Sequence, residues 1–427
     1  MRLPPNCCGQ LPSNGAMMSK QYFLSKGSVS FVGALVAISG LSLLIACGSG
    51  SSQNPPPPPT PAVIALPANR DSADSANLAN NIWTIEADGS GAKELTSYQG
   101  DVNVTAEALQ PIWSPDGSKI VYVSDGAFDG SNTLANYYYF WVMNADGSGK
   151  TPLSNVGPAA YTVVGNAADW SHDGTKLAVA AAPGNGIDTY IMNADGTNYR
   201  LLAGRAFGAV WSPNDTKLAY QGSDNNIWTV HADGSAPVQL TNISSGSCYA
   251  ANAPVWSPDG TKLAFGMTNL CGPGYTIWTM NADGTNQISY PGSSFIYGWG
   301  NMIGRVVNWS PDGKKLAFYS TAALDGNPNS PDLSSVNIWV MNADGSSRTP
   351  LTHYDVNPGS YLFVPTWSSD GSKIAFLSGD ALDGSGQPSS QWSIWTMNAD
   401  GRALAPLTST STGNNWNTKW LQPAWKP

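Results

Sequence analysis

The sequence predicts an all-β fold: a seven-bladed β-propeller of four-stranded antiparallel blades, closed by pairing N- and C-terminal strands in one blade. Three observations predict it. Seven times a hydrophobic strand runs into Ala-Asp-Gly, with the aspartates at Asp88, Asp146, Asp195, Asp233, Asp283, Asp344 and Asp400. Six times another runs into a turn like Trp-Ser-Pro-Asp-Gly, beginning at Trp113, Trp170, Trp211, Trp256, Trp309 and Trp367, in strict alternation with the first set. From one tryptophan to the next the spacing is 57, 41, 45, 53 and 58 residues, the period of four-stranded blades rather than of helical repeats.

Each element has a local reason. In Trp256-Ser257-Pro258-Asp259-Gly260, proline presets a type I turn and glycine supplies the positive φ that follows, so two antiparallel strands are joined tightly. The Asn-Ala-Asp-Gly turns join the third and fourth strands in the same way. Pro111, Pro254, Pro365 and Pro423 precede the turn tryptophans. Proline is tolerated on an edge, which makes the tryptophan strand the innermost one, facing the channel. Of the 17 tryptophans, 13 occupy repeat positions, and burial between blades is sufficient reason for them. The last blade is completed from both ends. Residues 422–427, Gln-Pro-Ala-Trp-Lys-Pro, begin a seventh inner strand, residues 62–66 match the strand that follows each Trp turn, and residues 81–96 supply the next two. Such a closure leaves no open edge in the ring.

Trp-Ser-Pro-Asp-Gly followed by Lys-Leu-Ala-Phe and Ile-Trp-x-Met-Asn-Ala-Asp-Gly resembles the PD40, or WD40-like, repeat of the TolB propeller, over residues 62–427. The resemblance implies the fold strongly and the function weakly. The same repeat serves a periplasmic Tol-Pal component, propeller domains of serine peptidases and some pectin-fragment lyases. TolB carries an α/β domain before six blades, whereas this chain has a short linker there and seven blades.

Residues 1–46 read as a signal peptide, with Lys20 and Lys26 before an uncharged stretch from Val29 to Ala46. A start at Met18 would give a leader of ordinary length, leaving Cys7 and Cys8 outside it. Leu44-Ile45-Ala46-Cys47 resembles the bacterial lipobox, which implies lipidation of Cys47; the alternative is a plain transmembrane anchor. Gly48 stands where an aspartate is associated with inner-membrane retention, so the expected place is the outer membrane, facing the periplasm. Residues 47–61 form a linker in which Gly and Ser give slack and Pro55 to Pro59 give stiffness. The whole chain carries a net charge of −9. Removing Arg2, Lys20 and Lys26 with the leader leaves 17 basic against 29 acidic residues, or −12, which argues against nucleic acid as a partner.

Cys248 and Cys271 are the cysteines of the propeller. With the turn after Ser257 as the centre of a hairpin, opposing residue numbers add to about 519, the sum of this pair, so a disulfide is expected across the open end of the hairpin. A pair of buried thiols is the alternative.

Both tight turns lie on one face of the disc, so the longer connections emerge on the other, where binding residues of a rigid scaffold usually sit. The four tryptophans outside the repeat, Trp299, Trp392, Trp416 and Trp420, belong to segments expected on that face, with His353 and Tyr354. Such rings can stack on sugars or anchor a protein segment, or plug a wide channel mouth. Four consecutive blades also carry long second-to-third-strand loops. Asp-Gly clusters at Asp129, Asp325 and Asp383 in those loops offer oxygen ligands to Ca²⁺, although turn chemistry without metal is the simpler reading.

The case for catalysis is thin. His172 and His231 replace turn residues on the structural face, which leaves His353, too little for a triad or a metal site. The propeller has no Gly-x-Ser-x-Gly elbow. The expected role is therefore a lipid-anchored extracytoplasmic binding module for an envelope protein or a cell-wall glycan, without a cofactor. Its rivals are a Tol-Pal-like accessory and a polysaccharide lyase-like enzyme, the latter with Arg305 as its clearest cationic candidate.

Overall fold

The computed structural model describes residues 62–71, 79–98, 107–126, 134–153, 168–184, 186–271, 275–290, 306–320, 336–353, 362–380, 388–408, 415–418 and 423–427. Among them the chain forms seven antiparallel sheets, the seven four-stranded blades of a ring. The fifth blade shows the plan, running outward through Tyr249–Trp256, Lys262–Asn269, Tyr275–Asn281 and Ile288–Tyr290. Trp256 pairs with Leu263, Phe265 with Trp278, and Trp278 with Ser289. No described helix is long and apolar enough to cross a membrane.

The closing blade is sewn from both termini. Val63–Asp71 pairs on its outer side with Asn81–Glu86 and on its inner side with two C-terminal pieces. Asn415–Thr418 pairs at one end, with Ala68 opposite Thr418, and Ala424–Trp425 at the other, with Ile64 opposite Trp425. Residues 419–422, between the two pieces, lie outside the described residues.

The inner strands of other blades carry bulges, between Leu109 and Ile112, Phe207 and Val210, Asn252 and Val255, and Phe363 and Thr366. Gln110, Gly208 and Ala253 take positive φ there, at 53°, 58° and 48°. Pro111 and Pro254 follow two of these residues, so the prolines mark a bulge as well as an edge. One consequence concerns the hairpin register. Trp256 pairs with Leu263 as the sum of 519 requires, but beyond the bulge Tyr249 pairs with Asn269, one residue out of step.

The core lies between blades. Val210, Ala219, Ile227 and Leu240 of the fourth blade pack with Ala251, Leu263, Phe265 and Met280 of the fifth, and six further clusters complete the ring. Burying apolar area at about 25 cal/mol per Å² makes these layers the main source of stability. Indoles add direction. Trp113, Trp170, Trp256, Trp309, Trp367 and Trp425 each donate Nε1–H to a backbone carbonyl of the preceding blade, on Ala424, Ile112, Val210, Val255, Asn308 and Thr366, at 3.0–3.3 Å. Each acceptor immediately precedes a turn tryptophan, so one geometry recurs around the circle and across the seam of the termini.

The junction of the third and fourth blades departs from it. Buried Trp211 has no partner for its indole N–H among the described residues, and its backbone N–H donates to the Asp169 carboxylate at 2.8 Å. The neighbouring turns differ too. Gly260, Gly313 and Gly371 face the proline ring of the preceding turn, Pro213, Pro258 and Pro311. Here His172 stands for the proline and Asp215 for the glycine. The Asp215 carboxylate accepts the backbone N–H groups of His172 at 2.7 Å and Asp173 at 2.9 Å, with His172 Nδ1 3.2 Å away.

Candidate functional site

The turn face is the same structure repeated. In the second blade, Ser114 Oγ–H donates to Asp116 at 2.6 Å, and the same carboxylate accepts the Ser118 N–H at 3.0 Å. The Ser114 hydroxyl in turn accepts the Lys119 N–H at 2.9 Å. These bonds, the Ser114 hydroxyl first, hold the Asp116 carboxyl down at about 2. Asp173, Asp259, Asp312 and Asp370 are lowered by the same first cause, a seryl hydroxyl. The second turn is tied to the first, as in the Ala282 N–H to Thr261 carbonyl bond of 2.9 Å. The Ser and Asp side chains of this motif are engaged in holding the turn.

Opposite it, on the loop face, the fifth blade and the connection that leads into it from the fourth line an open cavity of about 540 Å³. One side is the fifth blade itself. Tyr249 and Asn269 are cross-strand partners, Met267 and Thr276 are partners one strand further out, and Trp278 lies beyond them. The other side is the connection between the blades, through Asn242, Ile243, Ser244 and Ser247. Alternation within the strand explains the wall, because Met267 and Asn269 share one side of the sheet while Thr268 faces the other.

Both sides are held in place. Buried Asn226 grips the connection, accepting the Ile243 N–H at 2.7 Å and donating to the Ile243 carbonyl at 3.2 Å. Thr241 Oγ1 adds a bond to Asn226 at 2.9 Å. Cys248 and Cys271 are joined by a disulfide, their Cα atoms 5.1 Å apart, which ties the end of the connection to the rim of the hairpin. On the reverse of the blade, Asn252 donates to Thr268 at 2.7 Å and accepts from the Tyr275 hydroxyl at 3.3 Å. Burial pushes the Tyr275 phenol well up. Its hydroxyl occupies the space a side chain at residue 266 would need, so Gly266 is required for this packing.

Most of the residues singled out in the sequence are not among those described. Trp299, Trp420, Tyr354, Asp129, Asp325, Asp383 and Cys47 lie outside the described residues. The backbone of Trp416 pairs with Arg70 at the loop-face end of the closing blade, and Trp392 lies in Pro388–Asn398 beyond the Ser393–Ser378 pair, towards the same face. Their side chains are outside the described set. His353 is exposed just past the outer strand of the sixth blade. Sequence reasoning missed the cavity, which sits in the sector with short second-to-third-strand loops. Its legible signal was Asn-Ile-Trp followed by Leu-Thr, at Asn226 and Thr241 as at Asn81 and Thr96, where the same clamp forms through Tyr98.

A second polar cluster was also missed. Buried Glu107 accepts bonds from Asn80 Nδ2 at 2.8 Å and from the Tyr138 hydroxyl, and its N–H donates to buried Asp125 at 2.6 Å. Both carboxylates are engaged with the protein, as anchors of the first two blades. Among the described residues no group of three or more His, Cys, Asp or Glu is arranged to hold a metal ion.

No known family model matches the sequence. Among solved structures, the chain is similar to the periplasmic gluconolactonase of Pseudomonas aeruginosa, at 12% identity over 86% of this chain and 99% of that one, with a TM-score of 0.50. A prolyl endopeptidase matches at 10% identity over 84% of this chain and 50% of that one, with a TM-score of 0.53. TolB of Acinetobacter baumannii matches at 15% identity over 68% of this chain, with a TM-score of 0.45, and the chain spans 63% of that protein's length. The likeness is one of fold alone, the β-propeller, a scaffold that hosts unrelated functions.

Proposed function

We propose that the protein is a binding scaffold of the bacterial cell envelope, attached by lipid at Cys47 to the outer membrane and facing the periplasm, with a loop face that takes up an envelope protein or a cell-wall glycan. The observation that carries this reading is the sidedness of the ring. One face is committed to repeated turns, and the other carries an open cavity lined by aromatic, apolar and neutral polar side chains. Contact with the membrane is through the lipid alone. A net charge of −9 disfavours nucleic acid. Binding of this kind needs no cofactor; Ca²⁺ at Asp129, Asp325 or Asp383 would register as a metal-dependent rise in melting temperature.

Pull-down from envelope extracts tests the reading. Trp416→Ala combined with Trp420→Ala should abolish recovery of a specific component, while Arg402→Ala on the turn face leaves it intact. Equal recovery by all three proteins would remove the loop face from the reading. Incubation with oligogalacturonides separates binding from a lyase activity: release of unsaturated products would replace the scaffold reading with an enzymatic one.

A further inference from the structure

We propose that the cavity between the fourth and fifth blades binds a short neutral saccharide. The inference rests on the loop face being the binding face, and goes further by naming the ligand chemistry and the residues that read it. The lining is Asn242, Ser244, Ser247, Asn269 and Thr276 with Tyr249, Trp278, Ile243 and Met267, and it includes no Asp, Glu, Lys, Arg or His. A carboxylate, phosphate or ammonium group would meet no opposite charge in this lining, whereas a neutral sugar needs none. Uronates are disfavoured on that ground.

The hydrogen-bonding capacity of the lining is largely unused. Among the described residues, Asn242, Ser244 and Thr276 have no side-chain hydrogen-bond partner, and Asn269 uses only Oδ1, which accepts the Cys271 N–H at 3.1 Å. A primary amide presents a donor beside an acceptor, and a hydroxyl is both. Neighbouring hydroxyls on a sugar ring present the complementary pattern, each able to give and accept. Tyr249, 49% exposed, and Trp278 add flat apolar surface for the C–H face of the ring. The volume lies within the roughly 300–1,000 Å³ of small-ligand sites.

A peptide fits less well. Extended peptides are commonly held through the free backbone of an edge strand. Lys262–Asn269, which supplies Met267 and Asn269, is paired on both sides, with Tyr249–Trp256 and with Tyr275–Asn281. The disulfide and the Asn226 clamp hold the two sides of the cavity before any ligand arrives, which lowers the ordering cost of binding.

Calorimetric titration of the full chain with maltotriose, cellotriose and triacetylchitotriose tests the proposal, with trigalacturonate and trialanine as charged and peptide comparisons. At least one neutral trisaccharide should bind with a Kd below about 1 mM. Its affinity should fall at least tenfold in Asn242→Ala and in Thr276→Val, with melting temperatures unchanged. Absence of binding by all three, wild-type affinity in both variants, or binding of only trigalacturonate or trialanine would overturn it. Should the pull-down depend on Trp416 and Trp420 while no neutral sugar binds, the saccharide site fails and the scaffold reading stands.

Discussion

The turn face and the loop face are made from the same strands by different rules. On the turn face, Ser114 and Asp116 of one blade have counterparts in Ser257 and Asp259 of another, and each hydroxyl and carboxylate is bonded within its own turn. On the loop face, Asn242, Ser244 and Thr276 line a cavity with side-chain groups that have no partner among the described residues. Repetition with full internal bonding marks a scaffold. Unused polar capacity on fixed walls marks a place for a ligand.

Substitutions should separate the two faces. The largest effect is expected at the disulfide. It closes 23 residues, so replacing both Cys248 and Cys271 with serine should lower stability by about 3 kcal/mol in the chain-entropy model, read by urea denaturation, and should also weaken any saccharide bound beside it. A pair of glycines compares the faces directly. Gly284, in a turn, has φ of 84° and an added Cβ would lie 2.9 Å from the Leu240 carbonyl oxygen, so Gly284→Ala should cost about 2 kcal/mol or more. Gly246, in the inter-blade connection, has φ of 78° but nothing within 4 Å, so Gly246→Ala should cost only the backbone strain, about 1 kcal/mol.

Smaller effects sharpen the comparison within the ring. Trp309→Phe removes the indole bond to the Val255 carbonyl, whereas Trp211→Phe removes an N–H that has no partner among the described residues. The first should be less stable than the second by about 1 kcal/mol, measured by denaturation under identical conditions. Acid should act through the turns, with the smallest effect per site. The Asp116 carboxyl is held at about 2, below its ordinary 3.8, so its contribution to stability is complete above about pH 4 and is lost as pH falls towards 2. Melting temperature should stay level from neutral pH to about 4 and then decline, and Asp116→Asn should make that decline shallower.

Much of the ring was legible because it is written in turn chemistry. The paired signatures set the number of blades, and the match of residues 62–66 to the strand after each Trp turn foretold the pairing of Ile64 with Trp425. The bulges were not legible, since Gln110 and Ala253 are poor advertisements for positive φ and only Gly208 hints at it. His172 and Asp215 each looked like an isolated departure in its own blade; only the ring brings them together across one junction. The cavity escaped for a different reason. Met267, Thr276 and Trp278 are ordinary strand residues, and attention went to long loops when the site arises from strand alternation beside a clamped connection.

Hydrogen–deuterium exchange of the full chain, with and without the tightest-binding neutral trisaccharide, tests the division of the two faces most directly. Slowed exchange should be confined to peptides covering residues 242–249 and 267–278, with the turns at 257–261 and 281–285 unchanged. Protection at those turns, or none at the cavity while the sugar is bound, would contradict it.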